Sequence, residues 1–561
     1  MFFATILIMN EFWNQILGYL DASFGISLIR EGNPQGYVNC IFMSITTIFG
    51  VLLIYRALYL MLGIFGKSRT YKPAKDDKRY AFVFSARNEE KVIGNLIDSV
   101  REQDYNQKNI DIIVVADNCD DNTASIAREK SCMVYERHDL SKCRKGYALQ
   151  FLFEHLKKDL PQGIETYYAY VFMDSDNVMA KDFLSKLNDA FQAGYDIATG
   201  YRNVKNADDN WLTALSAINW YRSVIVSLRA RSILNSCAQI GGTGYGVRSY
   251  VIKDGWDYTM ITEDGEMTTR LMAVEPSLKL TLDKENYEKL GKKELYLSLP
   301  NGKRVSLKTV LGEKNDLEIP EKHLKKYAIA STKNELGDPC LKGTLSILNK
   351  EGETVFGINQ ENSHVTHYIR LGYVEKAQFF DEQPTTLKIT LRQRIRWAKG
   401  GMVNWFFNDW KLFWSFIKHP RWSKYDIYWE MFPYGLWNFF MGFFQLLITT
   451  ILWATGLSGN AVDGWQNIWS YLLNMTVIQY LGGLITGIPV IIKEWDKVHF
   501  TFWEAFGYIF LWPFYDMIGT PISIACLFMH VTWKPVPHHV IKNGDELMEV
   551  QRKKEEKRKN S

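Results

Sequence analysis

Long apolar runs at both ends of the chain constrain it more than any other feature. Val38–Phe65 has no acidic residue and one charge, Arg56; Tyr434–Leu457 and Trp469–Ile492 carry no charge at all. A helix of roughly 20 such residues crosses the hydrocarbon core of a bilayer and satisfies its own backbone polar groups there. Residues 68–430 are mixed and charged instead. The chain therefore divides into a water-facing domain and spanning helices on either side of it. Lys67, Arg69, Lys72, Lys75, Lys78 and Arg79 follow the first span, which assigns that end and the domain after it to the cytoplasm. The basic tail Lys542–Lys559 belongs on the same side, so the apolar region between should cross an even number of times. Phe500–Val531, interrupted by Pro513, Asp516 and Pro521, is then expected to be a tight hairpin, a pair of short spans or a re-entrant element. Met1–Leu20 is apolar but broken by Asn10, Glu11, Asn14 and Gln15. It is read first as an interfacial amphipathic helix and second as a spanning one, and no secretory signal is expected. The expected location is the plasma membrane, multi-pass.

At 561 residues the chain is too long for one compact core. A formal net charge of +4, with no basic stripe interleaved with aromatics, argues against a nucleic-acid partner. Seven scattered cysteines include no Cys-x-x-Cys pair. They suggest neither a zinc site nor a disulfide framework, and read as reduced thiols.

From Arg79 onward, short apolar runs alternate with segments of helical period. Strands are expected at Tyr80–Ser85, Ile110–Ala116, Met133–Glu136, Tyr170–Met173 and Asp196–Tyr201, with helices at Glu89–Arg101, Gly146–Leu156 and Lys181–Ala193 between them. Such alternation predicts a mostly parallel sheet covered on both faces. No Gly-x-Gly-x-x-Gly follows the first strand, which disfavours a dinucleotide oxidoreductase. Asp209–Leu234 reads equally as a buried domain helix or a helix along the membrane surface. Glu275–Glu361 is polar and Lys-rich with short alternating runs, the pattern of a small β-rich insert. The expected divisions are 1–66 (interfacial segment and span), 67–273 (first part of the catalytic domain), 274–363 (insert), 364–430 (second part, with interface helices), 431–531 (membrane region) and 532–561 (basic cytoplasmic tail).

Chemistry concentrates where Tyr170-Val171-Phe172-Met173 ends in Asp174-Ser175-Asp176-Asn177. On an extended backbone Asp174 and Asp176 point to the same side and repel unless a cation lies between them. Mg²⁺ or Mn²⁺, with substrate phosphates completing its oxygen shell, meets that need. A solvated loop is the bland alternative. Asp117, at the tip of the second strand, reads as a turn residue or as an acceptor for a base or ribose. The cluster Gly241–Gly246 allows a close backbone approach to a ligand, or plain turns. Thr262-Glu263-Asp264 opens a helix, where carboxylates satisfy free N–H groups. Arg392, Arg394, Arg396 and Lys399 crowd one helix, either as a solvated face or as a phosphate cradle. The aromatics after them (Trp405, Phe406, Phe407, Trp410, Trp414) suit a membrane-interface helix. His530, His538 and His539 lack ligand spacing and are not read as a metal site.

Taken in order, Ala86-Arg87-Asn88-Glu89, Ala116-Asp117-Asn118, Lys145-Gly146, Asp174-Ser175-Asp176, Thr262-Glu263-Asp264 and Gln393-Arg394-Ile395-Arg396-Trp397 resemble the membrane-embedded family-2 glycosyltransferases, the cellulose, hyaluronan and poly-N-acetylglucosamine synthases. Trp533-Lys534-Pro535 looks like a further family feature; the insert departs from the family. The resemblance implies an α/β GT-A (Rossmann-like) cytosolic domain beside an α-helical membrane region. It also implies a UDP-sugar donor, a growing glycan acceptor and inversion, giving a β-linked extracellular polysaccharide that is translocated across the membrane. It assigns the donor to Ala86, Arg87, Glu89, Asp117, Lys145, Asp174, Gln393 and Arg396, and the metal to Asp174 and Asp176. The general base falls to Asp264 and the acceptor to Trp397 and Glu263. The insert is read as binding a partner or regulating access. Two alternatives stand beside this: a non-processive transferase using a polyprenyl phosphate or lipid acceptor, and a non-catalytic transporter or scaffold.

Overall fold

The computed structural model describes residues 24–280, 294–299, 301–307, 318–326, 329, 331–334, 337–457, 461–498, 500–531, 536, 538 and 542–560, with Gly18 and Asp21. Most of Met1–Leu20, the centre of the insert, His539 and Trp533-Lys534-Pro535 lie outside these residues.

An eight-stranded sheet forms the centre. Its strands are β1 (Tyr80–Ala86), β2 (Ile110–Asp117), β3 (Met133–Arg137), β4 (Ala169–Asp174), β5 (Val178–Met179), β6 (Ile197–Val204), β7 (Tyr245–Arg248) and β8 (Leu371–Asp381), in the spatial order β3-β2-β1-β4-β7-β6-β8-β5. The run in β1 is apolar throughout because both of its faces are covered. Tyr80, Phe82 and Phe84 pack with Ile93, Ile97, Phe183 and Leu187 on one side. Ala81 and Val83 pack with Leu149, Leu152 and Phe153 on the other. Each such fully buried Leu or Phe stabilises the fold by about 1.5–3 kcal/mol. The result is a GT-A-like α/β domain.

The sheet is less parallel than the alternation suggests. β7 runs antiparallel to both β4 and β6, and β5 antiparallel to β8. After β6 the chain passes through the helices Trp211–Ser223 and Arg229–Leu234 and re-enters from the opposite end. Of the two readings for Asp209–Leu234, the buried domain helix is found: Leu212–Ile218 is buried throughout. The glycine cluster serves this entry as much as the ligand side. A Cβ on Gly244 (φ +68°) would lie 2.0 Å from the Phe379 ring, and one on Gly246 2.8 Å from the Phe191 ring.

Parallel register brings three strand ends to one edge, with Ala86 opposite Ala116 and Ser85 opposite Asp174. A bulge in β8 between Val374 and Gln378 throws Glu375 out of the ladder to meet Arg229, which also pairs with Glu494 at 2.6 Å. Arg231, fully buried, grips Asp426 at 2.7 Å and Glu430 at 3.0 Å. These ion pairs tie the domain to the ends of the apolar helices.

The insert has its own small core around Leu278, Leu297, Ile319, Ile347 and Ile358. Ser277–Leu280 and Ser363–Thr366 pair at its root. Among the described residues four helices, Pro34–Phe65, Tyr434–Ala454, Thr476–Lys493 and Phe502–Phe528, are long and apolar enough to cross a membrane. In the last, Phe502–Met517 and Gly519–Phe528 join through Ile518 in helical conformation, so the segment is a continuous rod and not a tight hairpin. Tyr515 meets Ser216 and Asp516 meets Arg222, so its first half lies along the α/β domain. The basic tail also returns to that domain: in the helix Gly544–Asn560, Leu547 packs on Val178 and Phe380.

Candidate active site

A cleft of about 400 Å³ opens at the edge where β1, β2 and β4 end. Of the residues singled out in the sequence, Arg87, Glu89, Asp117, Lys145, Asp174, Asp176, Glu263, Asp264, Gln393, Arg396 and Trp397 all line it. Ala86 does not; it is fully buried under the end of β1.

Lys145 organises the β4 end. It begins the helix Lys145–Asp159, and its Nζ donates to Asp174 Oδ1 at 2.5 Å and to the Gly242 carbonyl at 2.7 Å, with Glu263 3.8 Å away. Gly146 lets that helix start against the chain: a Cβ there would lie 2.3 Å from the Tyr258 carbonyl. Asp176 is held separately. The Glu382 N–H donates to its Oδ2 at 3.0 Å, and Lys205 Nζ donates to its carbonyl at 2.5 Å. Burial alone would raise the Asp176 pKa, but His538, Lys205 and the Glu382 N–H overcome this and hold it below the usual range.

Glu263 and Asp264 face the pair from the start of the helix Glu263–Met272. Burial, with the charges of Asp264 and Asp174 adding to it and that of Lys145 opposing, pushes Glu263 up to about 7. Burial also raises Asp264, again against the pull of Lys145. The acidic first turn fits the ordinary helix-start reading, with Asp264 accepting backbone N–H groups there, while Thr262 makes no side-chain cap. Its methyl and hydroxyl instead meet Gly400 of the helix Leu387–Asn404, where only a residue without Cβ fits. That contact docks the helix bearing Gln393, Arg396 and Trp397 onto the Glu263-Asp264 turn. Arg396 lies in the field of Glu263, Asp174 and Asp264. Arg394 faces the other way, donating to the Tyr515 carbonyl at 2.9 Å, so the basic cluster is not one cradle.

Asp117 is already engaged: Arg137 donates to its Oδ1 at 2.5 Å and Asn118 at 2.9 Å. Glu89 is pushed up to about 9 by burial and then by the charges of Asp176 and Asp174.

Other cleft residues escaped the sequence reading. Arg202 pairs with Asp381 at 2.5 Å and stacks 3.7 Å over the Trp220 ring, which meets Trp397 edge-on at 5.6 Å. The signal for Asp381 was present: Phe379-Phe380-Asp381 is another apolar run ending in an acid. His538 is a correction of emphasis. Dismissed for lack of spacing, it lines the cleft with Nδ1 3.7 Å from Asp176 Oδ2.

A divalent cation fits these residues. Asp176 is kept anionic, and the buried His538 Nδ1 facing it has no hydrogen-bond partner among the described residues. Among the described residues no three His, Cys, Asp or Glu side chains converge to enclose an ion by themselves. Ligand oxygens would therefore complete its shell, as is usual for Mg²⁺ at phosphates. A larger cavity of about 580 Å³ lies between the insert and the domain. Its Arg270 is already committed to Asp257 and Glu266, and no set of carboxylates faces a basic helix across it.

Residues 82–256 match the family described as Glycosyl transferase family 2. The chain is 24% identical over 262 residues to the probable glycosyltransferase YdaM of Bacillus subtilis (strain 168); the match covers 42% of this chain and 57% of that relative. Among solved structures, the mannosyltransferase PcManGT from Pyrobaculum calidifontis, in complex with GDP-Man and Mn²⁺, matches at 12% identity over 82% of this chain and 99% of that one, with a TM-score of 0.44. S. aureus TarS 1-349 in complex with UDP-GlcNAc matches at 18% identity over 31% and 47% of the two chains, with a TM-score of 0.23.

Proposed function

We propose that the chain is a membrane-bound inverting glycosyltransferase that uses a UDP-sugar to elongate a β-linked glycan on the cytoplasmic face and passes the product outward. The reading rests on one observation: Asp174 and Asp176 at the end of β4 and the raised carboxyl of Asp264 line the same cleft from different elements.

Lys145 orients Asp174, and Arg396 and Gln393 lie where a diphosphate would sit. A cation on Asp174 and Asp176 would offset the charge that gathers on the leaving UDP. Arg396 would add to this through preorganised, partly desolvated donors, which is where electrostatic help is largest. Asp264 would take the proton of the acceptor hydroxyl as its oxygen forms a bond to the anomeric carbon. The bond from that carbon to the phosphate oxygen breaks on the opposite side, and UDP leaves with the electron pair. A carboxylate raised toward neutral is a better base than an ordinary one. Trp397, braced edge-on by Trp220, offers an aromatic face to the acceptor sugar. The apolar helices packed beside the cleft support outward passage.

The test is a screen of UDP-sugars on purified protein with Mn²⁺ or Mg²⁺, reading UDP release and product length. Long β-linked chains support the reading, and a single transferred sugar on a lipid phosphate supports the non-processive alternative. No turnover of any nucleotide sugar, or turnover unaffected by chelation, contradicts it.

A further inference from the structure

Where the first apolar helix meets the catalytic domain there is an apolar groove of about 460 Å³. Val51, Ile54 and Tyr55 form one wall; Phe416, Trp422 and Tyr425 form the other. Val51 and Ile54 are 65% and 71% exposed.

Helix geometry sets the level of this groove, given that the helix spans the membrane. Pro34–Leu53 is 20 residues long. At about 1.5 Å per residue that is ~30 Å, the thickness of a hydrocarbon core. The helix runs on without a break through Ile54 to Phe65, and in this last part Tyr59 and Gly63 are buried against the catalytic domain. Counted from Pro34, the hydrocarbon thickness is used up near Leu53, so the groove lies where lipid headgroups begin. The walls are fixed in place: Tyr425 donates to the Leu52 carbonyl at 2.6 Å, Trp422 donates to the Tyr59 hydroxyl at 2.8 Å, and Tyr55 meets Trp422 edge-on at 4.9 Å. Among the described residues no carboxylate lines the groove, and its one charged lining residue is Arg421. The face of that guanidinium lies 3.6 Å over the Tyr368 ring. Its donors point from the edge of the plane, the geometry that suits a phosphate. Lys418 and His419 are exposed beside it.

We propose that this groove binds one anionic phospholipid, with an acyl chain along Val51, Ile54 and Phe416 and the headgroup phosphate on Arg421. Apolar walls at headgroup level, rimmed by Trp and Tyr and closed by a cation without a lining acid, match a lipid that carries net negative charge.

Full-length protein in nanodiscs of mixed phosphatidylcholine and phosphatidylglycerol, with equal chains, is examined by native mass spectrometry. Wild type should retain one phosphatidylglycerol in preference to phosphatidylcholine. Arg421→Glu should lower that preference about tenfold, and Ile54→Trp, which fills the groove, should lower retention of both lipids. Both variants should bind UDP as wild type does, since neither residue touches the cleft. Equal retention of the two lipids by wild type, or unchanged retention by Arg421→Glu, overturns the proposal. Displacement by free glycerol phosphate overturns it as well, because it would show an anion site without a chain site. Retention is read without turnover, so failure of the catalytic reading leaves this test intact. Release of the protein from membranes by alkaline washing would separately refute the spanning assignment.

Discussion

Gly400 and Gly401 are neighbours in the sequence with opposite surroundings. A Cβ on Gly400 would lie 2.3 Å from Thr262 Cγ2 and 2.8 Å from its Oγ1, whereas one on Gly401 meets nothing within 4 Å. Ordinary carbon contacts begin near 3.5 Å, so Gly400→Ala needs the helix Leu387–Asn404 and the Thr262 turn to separate by ~1.2 Å. Overpacking of that size costs about 1–3 kcal/mol of stability. The same shift moves Arg396 and Trp397 away from Glu263 and Asp264. A misplacement of about 1 Å at reacting groups lowers rate about 10²-fold. Gly401→Ala replaces a helical glycine in open space and should raise stability by up to about 1 kcal/mol. UDP release and thermal unfolding are measured for both variants. The docking argument fails if Gly400→Ala keeps wild-type turnover and stability, or if Gly401→Ala, at a residue that lines the cleft, loses as much stability.

Asp264→Asn should lower turnover by about 10²–10⁴ while thermal unfolding and UDP binding stay unchanged; full activity in that variant would refute the base assignment. Because Asp264 must be ionised to act and its pKa is raised, kcat/KM should fall with decreasing pH from a point above the usual carboxylate range. Lys145 holds Glu263 and Asp264 down, so Lys145→Met should move that acid limb to higher pH; a shift to lower pH contradicts the electrostatics. Arg231→Met leaves the fully buried Asp426 without its cation and should cost about 3–5 kcal/mol, part of which Asp426→Asn restores in the double variant, as read from unfolding curves. Asp409 is fully buried, and burial, opposed only by Thr269, pushes it up to about 7. A raised folded-state pKa contributes stability below the ordinary carboxylate range that is lost as pH rises through about 7. The melting temperature of Asp409→Asn relative to wild type should therefore climb between pH 4 and pH 8; a flat difference sinks this account.

Much of the domain was legible because its signals are local. Short apolar runs and period-3.6 patterns marked β1, β2, β4 and their helices, and an apolar run ending in acid marked the cleft edge. The antiparallel entry of β7 was not legible, since a four-residue strand at Tyr245–Arg248 reads the same in either direction. The insert announced itself by composition, and the structure confirms extra β-rich segments there.

By itself the sequence determined β1, β2, β3, β4 and β6, which segments are apolar enough to leave water, and which carboxylates end at the same sheet edge, because each depends on residues within a few positions of one another. Only the tertiary structure gave the physical reason that Arg396, and not Arg394, faces the cleft. Arg394 and Arg396 lie about 200° apart around one helix, and packing against Tyr515 chooses between them. It also brought His538 beside Asp176, and Arg202 beside Asp381 and Trp220. Contacts between residues hundreds of positions apart leave no periodic trace in the chain; they exist only once the sheet, the interface helices and the returning tail have packed.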